Sequence, residues 1–113
     1  MTVDGLNTGG SSLSITNTSA TTTSAVVWIG SASASDGATN NTIKNCTITG
    51  ATNITTVVGI LAGSGSVFGN AAEAANSDNT IQGNTIKTCQ NAVFISGLAV
   101  TAEPIVLLIT VQF

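Results

Sequence analysis

The chain has 113 residues, and only 6% are charged, against about 25% in an average soluble domain. Its net charge is -3, and Lys44 and Lys87 are its only cations. Two lysines cannot form the basic track that replaces phosphate counterions, which excludes nucleic-acid binding and disfavours an anionic membrane surface. Hydrophobic residues make up 42%, so the low-hydrophobicity, high-charge signature of disorder is absent too. Much of the remainder is Thr, Ser, Asn and Gly, residues of strands and tight turns. The one Ala/Glu-rich run, Asn70 to Asn76, is too short for a stable isolated helix. The expectation is a single all-β domain.

The chain opens MTVDGLNTGG, without the basic start and apolar stretch of a secretory signal. The first strand is expected around TVDG, Thr2 to Gly5. SLSITN, Ser12 to Asn17, reads as the second, and VVWIG, Val26 to Gly30, as the third. The next segment, NNTIKNCTITG (Asn40 to Gly50), returns in altered form as SDNTIQGNTIKTC (Ser77 to Cys89). Aligned on Asn-Thr-Ile, Ile43 matches Ile81 and Ile48 matches Ile86. A third apolar strand follows each: VGILAG (Val58 to Gly63) and AVFISG (Ala92 to Gly97). Each strand alternates apolar with polar, the period-two signature of a half-buried strand.

The chain thus reads as three turns of one pattern. Turn one presents Val3, Leu13, Ile15, Val27 and Ile29. Turn two presents Ile43, Ile48, Ile60 and Ala62, and turn three Ile81, Ile86, Val93 and Ile95. Asn45 after Lys44 and Gly83 after Gln82 suit the left-handed backbone of abrupt corners. Three short strands per turn predict a right-handed parallel β-helix, with turns stacked at the strand spacing of about 4.8 Å and equivalent Asn side chains laddered at the corners. Two longer connections, Ser31 to Thr39 and Ser64 to Ser77, both follow the third strand and are expected on one side, where a binding surface would sit.

Trp28, Leu61 and Phe94 share the outward position of the third strand and predict an apolar stripe on the outside. Two uses suit it: packing against a loop or neighbouring domain, or an aromatic platform for a sugar or a partner. Cys46 and Cys89 lie at non-equivalent points of the repeat. With no His in the chain they suggest small buried or semi-buried thiols rather than a zinc site.

TVDGLNTGGSSLSITNTS, ATNNTIKNCTITGAT and SDNTIQGNTIKTCQNAVFISG resemble the parallel β-helix segments of very large secreted bacterial surface proteins, the β-strand-repeat or adhesin-like group. That group is broadly similar to the pectin-lyase-like superfamily. The resemblance covers roughly Thr2 to Gly97. It implies a secreted or cell-surface setting, a rod-like architecture, no catalytic residue, and neighbouring β-helix turns of a longer chain as partners. Residues 1–97 are therefore expected as β-helix repeats and 98–113 as an atypical apolar tail. In that tail the Asn/Thr turns give way to LAVTAEPIVLLITVQF. The tail predicts a truncated or frame-shifted piece of a larger gene; the alternative is that Ile105 to Phe113 forms a closing strand. At nine residues its apolar run is far short of a membrane helix, so no membrane insertion is expected.

Catalysis is not expected, and neither is a cofactor or metal. Asp4, Asp36, Glu73, Asp78 and Glu103 are not clustered. Asp4 and Asp78 are two turns apart, about 10 Å of stacking, too far for a retaining glycosidase pair. No Arg or His is present to serve as base. Asp4-Gly5 and Asp78-Asn79 instead suit turns. Ice binding would need Thr-x-Thr in every turn. Thr47-Ile48-Thr49 fits, but Ser14-Ile15-Thr16 and Thr85-Ile86-Lys87 break the array. Asn-x-Ser/Thr triplets at Asn17, Asn40, Asn45 and Asn53 arise by chance in this composition. The function expected is a structural or adhesive segment of a surface protein. The alternative is a glycan-binding or carbohydrate-active fragment whose partner is a polysaccharide or cell-surface glycan.

Overall fold

The computed structural model describes residues 1–6 and 13–98, and among them it is all-β without a helix. The closing strand expected at Ile105 to Phe113 lies outside the described residues. Nine strands run in chain order among the described residues: β1 (Thr2–Asp4), β2 (Leu13–Thr16), β3 (Ser24–Ser31), β4 (Thr42–Lys44), β5 (Cys46–Thr49), β6 (Thr56–Ser64), β7 (Thr80–Gln82), β8 (Thr85–Lys87) and β9 (Asn91–Ile95). They form three three-stranded sheets, β1-β4-β7, β2-β5-β8 and β3-β6-β9. All six pairings are parallel. Each turn of chain thus contributes one strand to each sheet, and the three turns lie one over another.

The register matches the sequence alignment residue for residue. Val3, Ile43 and Ile81 stack in the first sheet. Ile15, Ile48 and Ile86 stack in the second. Val27, Ile60 and Val93 stack in the third, as do Ile29, Ala62 and Ile95. A one-residue slip would turn every one of these side chains outward, so the shared interior fixes the register. The resulting core joins Ile29, Ile43, Cys46, Ile48, Ile60, Ala62, Ile81 and Ile86. Leu13, expected inside, is 40% exposed. It pairs with Cys46 of turn two, but as an edge-strand residue it has that neighbour on one side only.

Corners follow from backbone chemistry. A single residue, Asn45, separates β4 from β5, and it sits at φ 55°. Gly83 holds the equivalent corner at φ 62°. Asn and Gly are the residues that enter this region at least cost. Asn40 (φ 56°) and Asp78 (φ 58°) do the same one residue before the paired Asn41 and Asn79.

Buried asparagines replace backbone pairing where strands bend. Asn84 Nδ2 donates to Ile43 O at 2.8 Å, and its Oδ1 accepts Cys46 N at 3.0 Å. Asn79 Nδ2 donates to Ala38 O and Asn76 O, and its Oδ1 accepts both the backbone N and the Nδ2 of Asn41. The Asn41–Asn79 pair is the expected corner ladder, two rungs long.

Candidate functional site

Both longer connections leave after third-sheet strands. The shorter is a turn: Ala32 N donates to Asp36 O at 2.8 Å, and Ser33 bridges Asp36. The longer, residues 65–79, crosses the ends of all three third-sheet strands. Glu73 ties it to β3 and β6, Asn76 Nδ2 donates to Gly63 O at 2.8 Å, and Ala72 N donates to Ser96 O just past β9 at 3.2 Å. It acts as a strap across the turns.

Glu73 is the fastening point of the strap. Its carboxylate accepts the hydroxyls of Ser31, Ser64 and Ser66 and the amide of Gly65. Its own amide donates to Ser31 Oγ at 3.0 Å. These donors, the Ser31 hydroxyl foremost, hold the carboxyl far below the usual carboxylate range. A carboxylate so saturated and so weakly basic is poorly suited to taking a proton from one of its serines. The cluster is a clip: Ser31 and Ser64 are equivalent in the repeat, at the ends of β3 and β6, but no spacing in the sequence sets Glu73 of the strap over them.

The three residues expected to form a stripe do share one register line: Trp28 pairs with Leu61, and Leu61 with Phe94. Their exposure differs from the expectation. Trp28 is 44% and Phe94 41% exposed, but Leu61 is fully buried. Leu61 lies on the central strand, with an aromatic neighbour on either side, and outside the inner core cluster. What reaches solvent is therefore two aromatic side chains with an aliphatic seat between them. Trp28 is held in place from two directions. Its indole N–H donates to Ser64 O at 2.8 Å, and the Phe68 ring meets it edge-on with centroids 5.5 Å apart. Beside it lies an open depression of about 280 Å³ lined by Trp28, Gly30, Ser31, Ala32 and Gly65.

The outward residues of the second sheet align as Ser14–Thr47–Thr85 and Thr16–Thr49–Lys87, with Lys87 exposed at the end of the row. Asp4 is committed to structure. It accepts Leu6 N at 2.8 Å and Asn45 Nδ2 at 2.9 Å, and pairs with Lys44 at 3.1 Å. Those contacts, the Asn45 bond first, lower its pKa. Cys46 and Cys89 are free thiols. Burial pushes both up in pKa, and the Asp4 carboxylate adds to this at Cys46, so neither is an activated nucleophile at neutral pH. Among the described residues no three His, Cys, Asp or Glu side chains come together as a metal site.

No family model, curated protein or solved structure matches the chain.

Proposed function

We propose that the chain is a right-handed parallel β-helix segment with a structural or adhesive, non-enzymatic role in a secreted cell-surface protein. The observation that carries this reading is the in-register repetition of one turn, with the same residue types at the same inward places three times over. A fold built this way extends along its axis and offers its outer faces to the surroundings. Its conspicuous acid, Glu73, is occupied in fastening the strap.

A second reading is supported by one specific observation. The fixed, exposed Trp28 ring beside an open depression suits stacking of a sugar ring, with backbone groups of the depression as polar partners. Titration of Trp28 fluorescence with a panel of plant and bacterial polysaccharides separates the two readings. The stalk reading predicts no saturable change. Saturable quenching, with titration calorimetry showing that the same polysaccharide binds wild type but not Trp28→Ala, would replace it with the glycan-binding one.

A further inference from the structure

We propose that the chain associates head-to-tail with a second copy of itself through the two edges of the third sheet. β3 and β9 are the two edge strands of this sheet among the described residues. An edge strand presents alternate unpaired N–H and C=O groups, a template for another strand. Inside the sheet, the central side chains Ile60 and Leu61 are fully buried. At the edges their equivalents are not: Val27 and Val93 are half-buried, and Trp28 and Phe94 are exposed.

The two edges complement each other. Continuing the internal register by one turn places Val93 against Val27 of a second copy, Phe94 against its Trp28, and Ile95 against its Ile29. The internal pairs Val27–Ile60–Val93, Trp28–Leu61–Phe94 and Ile29–Ala62–Ile95 already follow this rule. The junction would therefore repeat the match of residue types found within the chain, and it brings two exposed aromatics together at strand spacing. No two like charges meet across it, since β3 and β9 carry none. Ile81 and Ile86, the inward residues of turn three in the first two sheets, are already buried, so at that end the apolar area left to cover lies in the third sheet, at Val93, Phe94 and Ile95. A junction that uses different surfaces on the two copies is heterologous and propagates unless it closes into a ring. This inference does not rest on an adhesive role: a chain that stacks on itself need bind no glycan.

Sedimentation of the full chain over a concentration series tests it. The expected result is a doubling or more of apparent mass as concentration rises. Phe94→Lys blocks one edge and Trp28→Lys the other, so each variant alone stays monomeric. Mixed in equal amounts, each still has one good edge, and they form a dimer that grows no further. A wild-type chain that is monomeric throughout would overturn the proposal, as would association of either variant on its own. Far-UV circular dichroism establishes that each variant keeps the wild-type fold. If one does not, the wild-type series decides.

Discussion

The corner between the first and second sheets and the strap across the third achieve order by opposite means. At the corner, one residue with a left-handed backbone joins two strands, and a buried Asn replaces the ladder bond lost there. The left-handed residue, Asn45, returns in the next turn as Gly83, and Asn84 beside it reaches back one turn to Ile43 and Cys46. The strap has no repeated backbone geometry. It is fastened by Glu73 to two serines from different turns, and by Asn76 to Gly63. The comparison teaches that repetition makes structure periodic and visible, whereas a single irregular excursion depends on side-chain meetings that occur once.

If the stacked interior dominates stability, its loss is the largest effect. Ile48→Ala empties a fully buried central position and should cost about 2–5 kcal/mol in urea denaturation. Ile54→Ala, at a side chain 76% exposed, should stay within about 0.5 kcal/mol of wild type. Equal losses at the two sites would break the account of the core. Asn84→Ala comes next. It leaves Ile43 O and Cys46 N buried without their partner, at about 1–3 kcal/mol for such a loss. A neutral result would mean that water substitutes for the amide. Gly83→Ala is smaller still. It forces a side chain into φ 62° and brings its Cβ to 2.9 Å from Asn45 Oδ1. The left-handed backbone alone costs about 1–2 kcal/mol, whereas Asn45→Gly, at the equivalent corner, keeps the backbone at ease and loses only the hydrogen bond to Asp4, about 0.5–1.5 kcal/mol in the same melt.

What the sequence disclosed follows this division. The Asn-Thr-Ile alignment placed Ile43 on Ile81 and Ile48 on Ile86 because the interior needs the same shape at the same height in each turn. Trp28, Leu61 and Phe94 were legible as one register line for the same reason. The burial of Leu61 was not, because a strand's alternation says which face a side chain takes but not what lies beside it. Glu73 looked like an isolated acid in an Ala-rich run. Its hydrogen-bond donors are Ser31, Ser64, Gly65 and Ser66, and the first is 42 positions away in sequence. No periodicity records a meeting of that kind.

The strap supplies the smallest expected effect on global stability and the clearest local one. In Glu73→Ala, hydrogen exchange should speed up across residues 64–77 while β4, β5, β7 and β8 keep their protection. Uniform loss of protection would mean that the strap is integral to the stack. The pH dependence has a definite sign. Because the folded carboxyl titrates below its unfolded value, Glu73 contributes stability above the unfolded pKa. That contribution fades as pH falls below about 4 to 5, towards the lower folded value. Wild type should therefore lose strap protection in acid, and Glu73→Ala should show a flatter acid limb.

The central claim is that three turns lie in parallel register, and backbone NMR addresses it directly. Nuclear Overhauser contacts in the second sheet should link the Ile48 strand on one side to residues around Ile15 and on the other to residues around Ile86, in the parallel pattern. Contacts that instead join strands adjacent in sequence, in the antiparallel pattern of hairpins, would contradict the stacked fold.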